Sequence, residues 1–311
     1  MVSAITNRTN GQINVVLHQK STNTNQLMIE DMDMSKHYPL EQIQKELNAL
    51  VGMGKVKAFV KEIYAWLYIN RCREGFGLKQ QKQSLHMLFK GNPGTGKTTV
   101  ARLLGKLFYE MGVLSKGHLI EVERADLVGE YIGHTAQKTR DLIKKANGGI
   151  LFIDEAYSLS RGGEKDFGKE AIDTLVKAME DRQHEFILIL AGYPREMDYF
   201  LSLNPGLPSR FPLVMTFPDY SNDELVEMAR RMAKERDYVL SKEAEWKIKN
   251  HLGRVRSAKA ETFSNGRYIR NVIEKAVRKQ AVRLIREENL ERKKLMMILA
   301  NDVQFELENE C

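Results

Sequence analysis

Cysteine is scarce in this sequence of 311 residues. Its two cysteines, Cys72 and Cys311, have a spacing that matches neither a metal site nor a redox motif. A structural disulfide is therefore not expected, and the reducing cytosol is the expected setting. Long apolar runs are also missing. No stretch approaches the length of a membrane span, and residues 1–20 lack the apolar region of a signal peptide. We expect a cytoplasmic protein with no membrane association.

An excess of one charge is largely missing as well, because the formal net charge is only +7. The positive charge concentrates in residues 266–294, where ten Lys and Arg face four Glu. Such a region could bind nucleic acid, but Tyr268 is its one aromatic residue. A solvated helix face or a surface between subunits is the favoured interpretation. Nucleic acid is therefore not the expected partner.

The most informative segment is a glycine-rich loop. It consists of Gly91, Asn92, Pro93, Gly94, Thr95, Gly96, Lys97, Thr98 and Thr99. Apolar residues lie on both sides of it, which predicts a strand, a phosphate-binding loop and a helix in that order. The glycines let successive N–H groups converge on one anion, and the helix N-terminus adds positive charge. Lys97 is expected to reach the β- and γ-phosphates, and the hydroxyl of Thr98 to ligate Mg²⁺. The loop therefore predicts binding of a nucleoside triphosphate.

A second motif is a run of four apolar residues that ends in two carboxylates, Asp154 and Glu155. This pattern predicts a buried parallel strand whose acidic end lies at the ligand edge of a sheet. Asp154 is expected to hold Mg²⁺, and Glu155 to orient and polarise the attacking water as general base. The alternative is a strand that simply stops at an exposed acidic pair. The presence of Glu155 favours ATP hydrolysis, because a nucleotide switch can function without it.

The rest of the pattern divides the chain into three parts. Residues 1–38 are polar without a sustained period and predict a mobile arm. Residues 39–219 begin with helical spacing and then alternate strands with helices, which predicts an α/β core with a parallel sheet covered by helices on both faces. Residues 220–311 predict an all-helical lid, whose first helix begins with a capping box of Ser221 and Glu224. The predicted strands of the core are 85–89, 118–123, 150–154, 186–191 and 213–217.

A loop between the two motifs carries an aromatic–apolar pair, Tyr131 and Ile132, between Gly129 and Gly133. Glycine on either side lets the loop move, and Tyr131 offers area that can grip a polypeptide without reading its sequence. The alternative is that the pair covers a hydrophobic core. A loop that acts on nucleic acid would more often carry Lys or Arg.

Together, these motifs resemble an AAA+ ATPase. The segments that carry the resemblance are 91–99, 128–135, 151–155, 209–211 and 266–271. The Tyr-Ile-Gly-His-Thr loop and the Leu-Ala-Gly-Tyr run at 190–193 resemble the branch that contains red-type Rubisco activase and stage V sporulation protein K, with the sporulation proteins the closer match. The match covers about residues 40–301. It implies a hexameric ring that hydrolyses ATP with Mg²⁺ and remodels or threads a client protein past Tyr131.

The resemblance also implies roles for single residues. Arg210 matches the arginine finger that reaches the nucleotide of the neighbouring subunit, and an ordinary salt bridge is the alternative. Arg267 matches the second sensor arginine and Arg270 is the weaker candidate, although either could be a surface charge. Val51 and Gly52 match the segment that lines the adenine pocket, and packing alone would explain them nearly as well.

One position departs from the family pattern. Many members end the strand that follows the acidic pair with a small polar residue, but this strand ends in Ala-Gly-Tyr. Tyr193 or Asn204 is the expected substitute. Two other functions stay open: an AAA+ ATPase that acts on nucleic acid, and a nucleotide-gated scaffold. The client protein is not identified by the sequence.

Overall fold

The computed structural model describes residues 8–9, 12–13, 38–79, 83–131, 133–161, 167–182, 184–204, 206–258, 263–287 and 290–305. Met1–Tyr38 and Pro39–Cys311 form two compact units. In the first unit, β1 (Arg8–Thr9) pairs with β2 (Gln12–Ile13) in antiparallel fashion. The rest of the predicted arm lies outside the described residues.

Two helices precede the sheet, as the helical spacing predicts. These are α1 (Tyr38–Ala49) and α2 (Gly54–Gly75). Apolar side chains that recur every three or four residues, such as Leu40, Ile43 and Leu47, are buried. The turn between the helices passes through two left-handed residues, at φ 63° and 58°.

The core contains a five-stranded sheet in the order β4-β5-β6-β3-β7. All of its strand pairs are parallel. The five strands predicted from the sequence are confirmed, with bounds that differ by at most two residues. They are β3 (Met87–Gly91), β4 (Leu119–Val122), β5 (Ile150–Ile153), β6 (Ile187–Gly192) and β7 (Leu213–Phe217).

Helices cover both faces of this sheet, since every residue of the adjacent strands β5 and β6 is buried although their side chains alternate between the faces. Leu151 and Ile153 pack in one cluster with Leu175. Phe152 points to the other face and lies edge-on to Phe89. The core helices are α3 (Lys97–Glu110), α4 (Arg124–Leu127), α5 (His134–Lys145), α6 (Gly168–Asp181) and α7 (Pro194–Leu203), with 3₁₀ turns at Ala156–Ser160 and Pro208–Arg210.

The C-terminal part is mainly helical, and the predicted capping box is confirmed. Ser221 Oγ accepts from the N–H of Glu224 at 3.2 Å, while Glu224 Oε2 accepts from the N–H of Ser221 at 2.7 Å. The prediction of an all-helical lid missed one parallel strand pair, because two-residue strands leave no alternation in the sequence to detect. The elements are α8 (Asn222–Lys234), β8 (Val239–Leu240), α9 (Lys242–Ala258), α10 (Asn265–Leu284), α11 (Arg292–Met296) and β9 (Met297–Ile298). Among the described residues, no helix combines the length and apolar composition that crossing a bilayer requires.

A buried histidine, His86, lies just before β3. Its Nδ1 accepts a hydrogen bond from the N–H of Leu188 at 2.9 Å, and its ring packs against Phe186 and Phe211. Burial lowers the pKa of His86 from 6.5 to about 4. The folded chain therefore keeps this imidazole neutral at pH values where the unfolded chain protonates it.

The pKa of His86 predicts a loss of stability in acid. Because the unfolded chain binds the proton first, the contribution of His86 is complete above pH 6.5 and declines toward pH 4, by about 3 kcal/mol in total. His86→Asn keeps an acceptor for Leu188 but cannot titrate, so the variant should lose less unfolding free energy than wild type over this range. Urea unfolding at several pH values measures the difference. The exposed His184 provides the matched control variant, His184→Asn, which removes a histidine outside this buried site. Equal acid sensitivity of His86→Asn and wild type would contradict the assignment.

Candidate functional site

A cavity of about 690 Å³ opens at the carboxyl ends of β3 and β5. Its size is that of a small-molecule site. The predicted phosphate-binding loop forms one wall, and Gly94 (φ 68°) and Gly96 (φ 93°) adopt left-handed conformations that favour glycine. Helix α3 begins directly after Gly96, which contributes no side-chain cap. The N–H groups of its first turn can therefore serve an anion in the cavity.

Lys97 places a partly buried cation in the same cavity. Its Nζ donates to the carbonyl oxygens of Gly91 at 2.8 Å and Asn92 at 3.0 Å. Burial lowers the pKa of Lys97, the nearby charge of Asp154 raises it and the charge of Arg267 lowers it further. A phosphate would replace weak carbonyl partners with a full negative charge, so the cavity fits a polyanionic ligand.

The acidic pair follows β5, as predicted. Asp154 is partly buried and Glu155 is exposed, and both line the cavity beside Lys97. Glu155 has a left-handed backbone (φ 47°, ψ 42°), which costs a non-glycine residue roughly 1–2 kcal/mol. The N–H of Glu155 donates to Asp154 Oδ1 at 3.0 Å. The turn presents the Glu155 carboxylate to the cavity, whereas the next residue, Ala156, is buried in the core. A strained backbone at Glu155 indicates that this position is functional.

Thr98 has a partner that sequence reasoning missed. Its hydroxyl donates to Glu121 Oε1 at 3.3 Å, and Arg102 binds the other carboxylate oxygen at 3.1 Å. Among the residues that the structure describes, no group of three or more His, Cys, Asp and Glu side chains could hold a metal ion. A cation beside Thr98 and Asp154 would therefore need phosphate oxygens and water as further ligands, which is how Mg²⁺ usually binds. The charged position inside the predicted strand 118–123 was the available signal for Glu121.

Two tyrosines border the carboxylate of Glu155. Burial and the negative charge of Glu155 raise the pKa of Tyr157. The ring of Tyr193 lies 5.9 Å from that of Tyr157, and its pKa is raised by burial and by Glu155. Of the two expected substitutes for the polar residue, only Tyr193 lines the cavity. Asn204 is excluded from this position, because its amide donates to the Phe200 carbonyl at the end of α7.

The opposite wall of the cavity fits a flat apolar ring. Val51 lines it as predicted, but Gly52 does not, because the turn at φ 63° directs Gly52 against Glu224 instead. The other wall residues come from elements far apart in the chain, so no local sequence pattern could have identified them. These are Met53, Tyr220, Met228, Met232 and Ile273.

Both lid arginines reach the cavity. Arg267 lies in the first turn of α10 and Arg270 one turn later, and both side chains are exposed in the cavity wall. The charge of Arg267 also lowers the pKa of Lys97, so the two cations share one electrostatic environment. Two cations beside the acidic pair favour a ligand with several negative charges.

Arg210 lies away from the cavity. Its Nε donates to Glu180 Oε1 at 3.1 Å and its Nη2 contacts the same oxygen, while Nη1 donates to the carbonyl of Gly206. Within one chain, Arg210 therefore forms the salt bridge that was the alternative interpretation, and the cavity lacks it.

Tyr131 is 65% exposed, and its ring lies edge-on to His134 at 5.3 Å. This exposure rules out that Tyr131 covers a hydrophobic core. Ile132 lies outside the described residues.

Comparisons with known proteins agree with this geometry. Residues 87–219 match the family described as "ATPase family associated with various cellular activities (AAA)", and residues 221–311 match the AAA lid domain. The chain is 63% identical to stage V sporulation protein K of Bacillus subtilis, over 98% of this chain and 97% of that one. It is 41% identical to the chloroplastic ribulose bisphosphate carboxylase/oxygenase activase of Cyanidioschyzon merolae, over 85% and 90% of the two chains. A RuvB variant of Thermotoga maritima has a similar fold, with a TM-score of 0.52 and 20% identity over 83% and 69% of the chains.

Proposed function

Because the chain belongs to the AAA ATPase family, we propose that it is a hexameric ring that hydrolyses ATP with Mg²⁺ and uses the energy to remodel a client protein. One observation carries the proposal, namely the convergence of Lys97, Asp154, Glu155 and Arg267 on a single cavity. The apolar wall would take the adenine ring, and the loop amides would take the phosphates.

Each group in the cavity would have its own role in ATP hydrolysis. Lys97 would leave its carbonyl partners and bind the phosphates. Mg²⁺, held by Thr98 and Asp154, would offset the charge of the phosphates. Glu155 would accept a hydrogen bond from the attacking water and orient it.

The position of Arg210 supports a ring. Phosphoryl transfer builds negative charge on the γ-phosphate that a guanidinium can stabilise. Arg210 lies outside the cavity of its own chain, so we assign it to the cavity of the next subunit. Identical head-to-tail contacts of this kind close into a ring when the rotation from one subunit to the next closes.

The client would be a polypeptide gripped by Tyr131. The exposed ring and the glycines at 129 and 133 support a moving contact. Glu130 beside it disfavours nucleic acid as the partner. The extensive identity with stage V sporulation protein K supports a role in spore formation in the cytoplasm.

Tyr131→Ala is expected to abolish client remodelling while leaving ATP hydrolysis within about twofold of wild type, because Tyr131 lies outside the cavity. The test expresses the chain in Bacillus subtilis that lacks its stage V sporulation protein K and counts spores. Wild type should restore spores, and Tyr131→Ala should not. Tyr199→Ala provides the control, since Tyr199 is also exposed, at 67%. Full spore formation with Tyr131→Ala would contradict the pore assignment, and failure of wild type would contradict the sporulation role.

A further inference from the structure

The lid touches the phosphate-binding loop at the edge of the cavity, since Gly94 of the loop and Gly266 of the lid both line it. The N–H of Gly266 donates to the carbonyl oxygen of Gly94 at 3.1 Å. A Cβ atom at Gly94 would lie 2.2 Å from the Ser264 oxygen and 2.8 Å from the Arg267 nitrogen. Glycine is therefore required at position 94 for this close approach as well as for its positive φ. The lid is therefore packed directly against the loop that would bind phosphate.

A chain of three polar side chains reinforces this contact. The Nδ2 atom of Asn92 donates to both carboxylate oxygens of Asp219 at 3.0 Å, and the Nδ2 atom of Asn265 donates to Asp219 Oδ1 at 2.7 Å. We call Asn92, Asp219 and Asn265 the loop–lid relay. Asn92 belongs to the phosphate-binding loop and Asn265 begins α10, so one carboxylate holds both elements.

The orientation of Asn265 follows from its surroundings. Its side chain is fully buried, and its Oδ1 accepts from the N–H of Tyr220 at 3.1 Å. Its Nδ2 also lies 3.2 Å from the Phe263 carbonyl and 3.4 Å from that of Pro93. A flipped amide would aim oxygen at the Asp219 carboxylate and nitrogen at an N–H group, so only one orientation satisfies all partners.

Two further features make the contact between the loop and the lid rigid. Asn265 has a φ of 44°, which Asn tolerates better than most residues but still only under constraint. The hydroxyl of Tyr220 donates to the Thr95 carbonyl at 3.1 Å, which ties the same connection to a second point of the loop. The hydrogen bonds of Asn265 and Tyr220 hold the Asn265 backbone in this strained conformation.

Arg267 follows Asn265 by two residues and faces the cavity. On the basis of the proposed function, we propose that the loop–lid relay positions Arg267 over the phosphates and thereby sets the preference for ATP over ADP. Arg267 would gain a partner in the γ-phosphate, which ADP lacks. A lid that is loosely joined to the loop would hold Arg267 less well, so ATP would lose more affinity than ADP.

The relay can be tested by exchanging the carboxylate of Asp219 with the amide of Asn265. Asp219→Asn places an amide donor against the donor of Asn92 or Asn265, and Asn265→Asp places two carboxylates together. In the double variant, the amide at 219 donates to the carboxylate at 265 and accepts from Asn92, so both relay links return with the same total charge, whereas the carbonyls of Phe263 and Pro93 still lose their donor. This cycle separates the relay from the effects of each single change.

The experiment measures the affinities for ATP and ADP in a Glu155→Gln background, which limits hydrolysis. Each single variant should lose about tenfold more affinity for ATP than for ADP, a size typical of a broken hydrogen bond to a charged group. The double variant should recover part of this preference and exceed both single variants. Asp223→Asn is the control, because Asp223 pairs with Lys249 on the lid surface and should change neither affinity. If the single variants do not fold, Asn92→Ala removes the loop end of the relay without adding a like-charge pair and should reduce the preference in the same direction.

The possible results distinguish failure of the relay from failure of the proposed function. An ATP preference that both single variants retain overturns the relay alone. Equal losses for ATP and ADP that the double variant does not repair assign the three residues to stability only, and also overturn it. If the chain with an unaltered relay binds neither nucleotide, the proposed function fails and the relay fails with it.

Discussion

Replacing Glu155 with Gln is expected to lower the rate of ATP hydrolysis by about a hundredfold or more while ATP still binds. The amide keeps the size of the carboxylate, but it is a poor base for the attacking water. Binding should persist, because Lys97 and the loop amides remain. Steady-state phosphate release and equilibrium ATP binding measure the two effects.

Glu110→Gln is the matched control for this prediction, since Glu110 is exposed at the far end of α3. It should hydrolyse ATP at the wild-type rate. Equal rates for Glu155→Gln and wild type would remove Glu155 from the mechanism and would leave its left-handed backbone without a function.

Arg210→Ala is expected to lower hydrolysis by roughly a thousandfold, the range typical of arginine fingers. ATP binding should stay near wild type, because Arg210 does not line the cavity of its own chain. The same assays measure both quantities, and the variant must be shown to assemble as wild type does.

The salt bridge to Glu180 provides the control that separates the two roles of Arg210. Glu180→Ala breaks this salt bridge but leaves the guanidinium in place. An arginine finger does not need this salt bridge to reach the neighbouring nucleotide. The rate of ATP hydrolysis should therefore remain substantial. If Glu180→Ala and Arg210→Ala lose activity equally, the salt bridge and not the finger is what matters, and the assignment to the neighbouring cavity is wrong.

Local patterns predicted much of this molecule from the sequence. The phosphate-binding loop and the buried strand that precedes Asp154 each carry their signal within about ten residues, and the strands of the core are found within two residues of their predicted bounds. The capping box of Ser221 and Glu224 is equally local. Short-range geometry of this kind is fixed by glycine, apolar runs and capping side chains.

Contacts between distant segments could not be predicted in the same way. The relay joins Asn92 to Asp219 and Asn265, which no local pattern connects. The strand pair β8–β9 is too short to leave a period, and Gly52 turns away from the cavity because of packing against Glu224. In each case, contacts between distant segments determine a feature that no single segment predicts.

The central claim is that hydrolysis is completed where two subunits meet, and one measurement tests it most directly. Equal amounts of Arg210→Ala and Glu155→Gln chains are co-assembled, and their ATP hydrolysis is compared with that of each variant alone. In a head-to-tail ring, about a quarter of the contacts would join an intact Glu155 to an intact neighbouring Arg210. The mixture should therefore recover about a quarter of the wild-type rate. Rings that contain both variants yet hydrolyse ATP no faster than either variant alone would contradict the account.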